Sequence, residues 1–216
     1  MNDQKTIYCL TGLPGSGKST AAYELREWGI YPVVGLGDQI KEFKSEYSDD
    51  AFGNTWETAQ TLREVYGDAG AMYPALSRIS IALASEWCPG AIADGIRNPA
   101  EVELLRNVFP DADIRTVAIR APDEKRKELF YKRGDFDEQH EDEQVARALA
   151  EYRLHLRTQR EVDAGLQDAI DYADIHVWND GDEGDLGVNM AGVDDHCSDG
   201  IPLDKLEHAG SIERNS

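Results

Sequence analysis

Residues 12 to 20 read Gly-Leu-Pro-Gly-Ser-Gly-Lys-Ser-Thr, a G-x-x-x-x-G-K-[ST] pattern. The apolar run Ile7-Tyr8-Cys9-Leu10 precedes it and a helical pattern from Ser19 to Trp28 follows, which is the strand-loop-helix setting the pattern needs. Glycines at 12, 15 and 17 open conformations closed to other residues, so successive backbone N–H groups can converge on an anion at the positive end of a helix. An ordinary Gly-rich turn requires neither the strand before nor the helix after. The stretch therefore reads as a phosphate loop: Lys18 reaches the β- and γ-phosphates of a nucleoside triphosphate, and Ser19 places its hydroxyl on the Mg²⁺ that bridges them.

Four more strands are predicted, each followed by helix or loop. Tyr31 to Leu36 is the second, and Gly37-Asp38-Gln39-Ile40-Lys41 lies just past its end, where ligand residues gather in parallel sheets. From 38 to 87 the pattern is helical without a strand. Trp56, Ala59, Leu62, Arg63 and Tyr66 share one helical period, Asn54 and Glu57 form a capping pair and Gly67 a stop; a further helix runs from Leu76 to Trp87. Such an insertion beside a phosphate loop is where a mobile substrate-binding flap sits, although the Leu76 helix reads as core. Ala91-Ile92-Ala93-Asp94 is a short strand ending in a carboxylate, the form of an element that holds Mg²⁺ directly or through its waters. Arg97 follows it, and Asn98, Pro99 and Glu101 cap the next helix.

Ile114 to Ile119 is the fourth strand. After Pro122, a helix carries Lys125, Arg126, Lys127, Lys132 and Arg133. Residues 134–142 form a loop, and the next helix sets Val145, Leu149, Tyr152 and Leu156 on one face and brings Arg153, Arg157 and Arg160, the last two sharing a face. Two basic clusters flanking a loop make a lid that closes over phosphates, excludes water and neutralises charge. Asp174 to Asn179 is the fifth strand. Residues 182–216, rich in Gly and Asp, read as a mostly disordered acidic tail with at best a short helix from Leu203 to His208.

Lys and Arg number 22 against 42 Asp and Glu, a net charge of -20 that repels nucleic acid and anionic membrane. The acidity is spread along the chain and arginine outnumbers lysine, which favours adaptation to a salty cytoplasm. Cys9, Cys88 and Cys197 are too dispersed for a disulfide framework or zinc site, and no apolar run has the length of a membrane span. A reducing, cytoplasmic setting fits.

With these residues in view, the chain resembles the P-loop nucleotide kinases, the adenylate kinase and dephospho-CoA kinase group, and within it an archaeal dephospho-CoA-kinase-related family. The resemblance spans about residues 5 to 181 and rests on ordered blocks: GLPGSGKST at 12, VVGLGDQIKE at 33, LREVYG at 62, IADGIRNPAEVE at 92, KELFYKRG at 127, RTQREVDAGLQDAI at 157 and YADIHVWNDG at 172. It implies an α/β P-loop NTPase fold, a five-stranded parallel sheet flanked by helices, as one domain over 1–181 with an acceptor-binding insertion at 38–87 and a lid at 126–160. It implies ATP on Gly12, Gly15, Ser16, Gly17, Lys18, Ser19 and Thr20, with Asn179 on the nucleotide side, and Mg²⁺ on Ser19 and Asp94. Asp38, Lys41, Arg63 and Arg97 would face the acceptor, with Arg133, Arg157 and Arg160 as lid cations. Lys41 stands where adenylate kinases have arginine, Arg97 lies one residue closer to the aspartate, and the adenine-reading glutamine downstream is absent; these departures weigh against AMP, and the acceptor implied is a nucleotide or nucleotide-like metabolite. The activity implied is ATP- and Mg²⁺-dependent phosphoryl transfer; a P-loop ATPase switch and a non-catalytic nucleotide binder acting on a protein partner are the alternatives. Between an acceptor phosphate and an acceptor hydroxyl, the latter would be oriented by Asp38 ahead of Asp94.

Overall fold

A computed structural model describes residues 4–29, 31–47, 53–134, 142–181, 185–193 and 212–214. Six strands form one sheet: β1 (Thr6–Thr11), β2 (Val33–Gly35), β3 (Gly90–Asp94), β4 (Asp113–Arg120), β5 (Ile175–Trp178) and β6 (Ile212–Arg214), in the order β2-β3-β1-β4-β5-β6. The first five are mutually parallel and β6 pairs antiparallel along the outer edge of β5. The chain moves from β1 to one side for β2 and β3 and returns to the other for β4. The phosphate loop thus leaves the sheet at a reversal of strand order, where the carboxyl ends of the strands open a crevice.

β1 is buried along its whole length because both faces are covered. Ile7 and Cys9 pack with Ala91, Ala93, Met72, Ile79, Val102 and Leu105 on one side, while Tyr8 and Leu10 pack with Leu25, Tyr31, Ile92, Val117 and Val177 on the other. The first side is covered by α4 (Leu76–Ala84), α5 (Pro99–Val108) and α8 (Leu166–Asp171), the second by α1 (Lys18–Gly29) and α9 (Asp185–Ala191).

Between β2 and β3 lie α2 (Leu36–Glu46), α3 (Thr55–Tyr66), a 3-10 turn at Gly70–Ala75, and α4. Asn54 and Glu57 form a complete capping box on α3, with Gly67 at its C-terminus. The insertion divides: Ile40, Ala59, Leu62 and Ala71 make a small core of their own, whereas Met72, Ala75 and Ile79 belong to the main core. α4 ends at Ala84, so the predicted extension to Trp87 fails; the indole is 89 % exposed beyond the helix.

α6 (Asp123–Arg133) and the long α7 (Glu143–Asp163) pack through Phe130, Ala150 and Leu154. The buried stripe of α7 is Ala146, Ala150, Leu154 and Glu161, not the expected Val145, Leu149, Tyr152 and Leu156. Val145 and Tyr152 face solvent, while Ala150 and Leu154 pack against Phe130 and Tyr131. The predicted lid loop lies largely outside the described residues.

The tail reading is corrected for two segments. Residues 185–193 fold onto α1 and β5, burying Leu186, Met190 and Val193 in the second core layer, and 212–214 add β6. The proposed helix from Leu203 to His208 lies outside the described residues. Cys9 and Cys88 are free thiols. Among the described residues no helix is long and apolar enough to cross a membrane.

Candidate functional site

The phosphate loop is held from two directions, by α6 and by the end of β5. Gly15 (φ +79°) lies so close to α6 that a Cβ there would sit 2.6 Å from the carbonyl oxygen of Arg126. The nearly buried Arg126 donates from Nε to the Pro14 carbonyl at 3.0 Å, from Nη1 to Asp123 at 2.8 Å and from Nη2 to the Thr158 hydroxyl at 3.0 Å. From β5, Asn179 donates its side-chain amide to the Ser16 carbonyl at 3.0 Å and its backbone N–H to Arg120. Gly17 (φ +97°) is required there, since a Cβ would stand 2.5 Å from that amide nitrogen. Asn179 was expected to face the nucleotide; it is 7 % exposed and braces the loop instead.

Inside the loop, Lys18 Nζ donates to the carbonyls of Gly12 at 2.6 Å and Leu13 at 3.1 Å. Burial lowers its pKa to about 8, against the pull of the carboxylates Glu161 and Asp94. Ser16 is buried and its Oγ has no hydrogen-bond partner among the described residues. Ser19 and Thr20 are exposed on the first turn of α1.

Asp94 ends β3 directly beside Leu10 in the sheet register, at the root of the loop. Burial raises its pKa, while Lys18, Arg97 and Arg133 oppose the rise and Asp38 adds to it. The turn after it is stitched to β1: the N–H groups of Gly95 and Ile96 donate to the Leu10 carbonyl, and the Thr11 hydroxyl donates to the Ile96 carbonyl. Arg97 follows, its backbone N–H bound by Glu101 at 2.8 Å and its Nη1 by the Gly95 carbonyl at 3.3 Å.

At the carboxyl edge of the sheet Lys18 thus feels Glu161, Asp94, Arg97 and Arg157, and Asp94 feels Lys18, Arg97, Arg133 and, more weakly, Asp38. Arg160 does not join them. It is exposed on the flank of α7, and neither Lys18 nor Asp94 feels it among their acting charges. Arg157 and Arg160 are three residues apart, but Glu161 turns toward the site and leaves Arg160 about 100° round the helix. Asp38 and Lys41 pair with each other at 3.1 Å in the open, their side chains 76 % and 65 % exposed. Arg63 is committed elsewhere: its side chain, 9% exposed, pairs with Glu101 at 3.0 Å and ties α3 to α5.

Two residues of weight, Glu161 and Glu101, carry no site role in the sequence, and a third, Arg126, acts elsewhere than expected. Glu161 is 4 % exposed and pairs with Arg157 at 2.9 Å and with Arg97 at 3.5 Å. Its signal was the four-residue spacing from Arg157 within R-x-x-R-E. Glu101 was read as a helix cap, yet its carboxylate is fully buried between Arg63 and the Arg97 backbone. Arg126 was grouped with the lid and is instead fixed to the loop.

The residues present fit a polyphosphate and its cation. Glycines hold the loop where side chains would collide, Ser16 Oγ is a buried hydroxyl without a partner among the described residues, and Lys18, Arg97 and Arg133 act on the carboxylate at the strand tip. Fold and site together define a P-loop nucleotide-binding domain. A family model for an AAA domain, AAA_18, matches residues 9–165. A UPF0200 protein of Pyrococcus abyssi is 30% identical over 178 residues, covering 81% of this chain and 87% of the relative. Another from Halobacterium salinarum is 33% identical over 171 residues, covering 78% and 81%. The chain belongs to the AAA_18 family of AAA domains and to the UPF0200 protein family. The crystal structure of TT1252 from Thermus thermophilus shares the fold, with TM-score 0.50 and 18% identity over 88% of this chain and 95% of that one.

Proposed function

We propose that the protein is an ATP- and Mg²⁺-dependent phosphotransferase acting on a nucleotide or nucleotide-like metabolite in a salty cytoplasm. The observation that carries this reading is that Arg97 acts on both Lys18 and Asp94, with Arg157 acting on the lysine and Arg133 on the carboxylate, at the root of the phosphate loop, and that the helical insertion begins beside it. A switch that only binds and hydrolyses a triphosphate has less need of cations arriving from β3, α6 and α7 together.

Lys18 would exchange its two loop carbonyls for phosphate oxygens, gaining a full charge partner for each neutral one. Arg97, Arg133 and Arg157 would offset charge on the moving phosphoryl group and hold it in line with the acceptor. Ser19 and Asp94 would hold Mg²⁺. The ion, when bound, would neutralise charge on the β- and γ-phosphates. Asp38, exposed at the start of α2, would border the acceptor.

The test is ADP release in high salt, with and without a panel of nucleoside monophosphates and dephospho-CoA. Acceptor-dependent release supports the phosphotransferase, acceptor-independent release supports an ATPase switch, and none supports a nucleotide binder. Lys18→Ala should abolish turnover; parent-rate ATP consumption by that variant would refute the assignment.

A further inference from the structure

Glu161 is a buried carboxylate shared by two guanidiniums from different parts of the chain. Arg157 precedes it by one turn of α7 and donates from Nε to Oε1 at 2.9 Å. Arg97, just past β3, brings its Nε to 3.5 Å from Oε2. That distance is an ion pair without a hydrogen bond, and Arg97 Nε is a buried donor with no hydrogen-bond partner among the described residues. A carboxylate placed this deep loses much of its hydration, so its presence needs compensation. The two arginines supply it, and they hold its pKa below the usual carboxylate value despite burial. Glu161 is also the first of the charges acting on Lys18.

A guanidinium gripped at Nε has its plane fixed, and the Nη edge is then aimed by that grip. Arg97 is held more loosely, by the ion pair between its Nε and Glu161 and by the bond from its Nη1 to the Gly95 carbonyl. Arg157 keeps 43% of its side chain exposed while its Nε is held, so it is anchored inside and reaches outward. One carboxylate therefore sets the bearing of cations from β3 and α7 beside the lysine expected to meet the β- and γ-phosphates.

We propose that Glu161 is a positioning residue for triphosphate recognition: by bonding Arg157 at Nε and pairing with Arg97 across the site, it aims both at the terminal phosphate and so distinguishes a nucleoside triphosphate from its diphosphate. This rests on the functional reading above only in taking a triphosphate as ligand. A negative charge this close to Lys18 would by itself weaken all phosphate binding, triphosphate and diphosphate alike. Its removal therefore has two separable effects. Loss of charge strengthens both nucleotides together, whereas loss of support weakens only the one whose end phosphate the arginines meet.

The experiment is calorimetric titration of Mg-ATP and Mg-ADP into the full-length parent, Glu161→Gln, Arg157→Gln and the double variant. Glu161→Gln should lose about tenfold of the parent's preference for ATP over ADP, a difference of about 1.4 kcal/mol. Arg157→Gln should lose a similar factor and the double variant no more than the larger single loss, since the two residues form one device. A preference unchanged in Glu161→Gln, or absent in the parent, overturns the positioning role. If Glu161→Gln does not fold, the surface-reaching Arg157→Gln decides, and an unchanged preference there overturns the role equally. A parent that binds neither nucleotide overturns the functional reading, and the positioning role with it.

Discussion

Asn179 donates its side-chain amide to the backbone carbonyl of Ser16 at 3.0 Å, joining the end of β5 to the middle of the phosphate loop across 163 positions of sequence. Both groups are buried, so the bond is made without competing water. Asn179→Ala leaves the Ser16 carbonyl unpaired and should cost about 1–3 kcal/mol of stability. ATP affinity should fall as well, because the loop's N–H groups are aimed by that brace. Urea denaturation and nucleotide titration measure the two losses; a variant unchanged in both leaves Asn179 without the bracing role.

Arg126 and Asp123 form an ion pair whose two members should behave very differently. Asp123 has a side chain 81% exposed while that of Arg126 is 8% exposed. Asp123→Ala removes a solvent-screened partner and should cost less than about 1 kcal/mol. Arg126→Ala strips the Pro14 carbonyl and the Thr158 hydroxyl of a charged donor and should cost roughly 3 kcal/mol or more. Thermal melts of the two variants test this asymmetry. Equal shifts would mean that the surface pair, not the grip on the loop, is what Arg126 contributes.

These braces also show where the sequence stopped being informative. The phosphate loop, the Asn54–Glu57 capping box and the Asn98 cap were legible because each is settled by residues within a few positions of one another. Asp94 was legible because a carboxylate at a strand tip acquires meaning once the loop beside it is known. Arg126, Asn179 and Glu161 meet the site from more than a hundred residues away or by the rotation of a helix, and no local pattern encodes that. On α7 two stripes of helical period compete. The more hydrophobic one lost, since what decides is the packing against Phe130 and Tyr131. Arg160 was misplaced by the same rotation, and Arg63 because its buried partner Glu101 lies 38 residues on.

The segment after β5 tests that lesson thermodynamically. Leu186 and Met190 are spaced one turn apart and Val193 follows three residues later, an apolar stripe short enough to be lost among acidic neighbours. Leu186 also reaches the loop, its Cδ2 lying 3.3 Å from where a Cβ on Gly17 would stand. Leu186→Ala and Met190→Ala should each cost about 2–5 kcal/mol, as truncation in a packed interior does. A detached tail would tolerate both within about 0.5 kcal/mol. Denaturant midpoints with unchanged slopes distinguish the two outcomes.

Lys18 gives the site a pH dependence whose direction is fixed by its surroundings. Burial brings its pKa down from 10.5 to about 8 in the free protein. The unfolded chain then holds the extra proton between about 8 and 10.5, so this group makes stability rise with pH across that window and contributes no slope below it. Nucleotide binding should run the opposite way. Phosphate oxygens favour the ammonium, so binding above pH 8 takes up a proton and affinity falls as pH climbs, by up to about tenfold per unit. Calorimetry at pH 8 in buffers of differing ionisation enthalpy should register about half a proton taken up, and at pH 6.5 almost none from this group. At pH 8 and above the nucleotide's own phosphates are essentially fully ionised, which assigns the uptake to the protein. Binding at pH 8 to 9 with no proton uptake would mean that Lys18 keeps its ammonium before the nucleotide arrives, and that its two loop carbonyls already hold it charged.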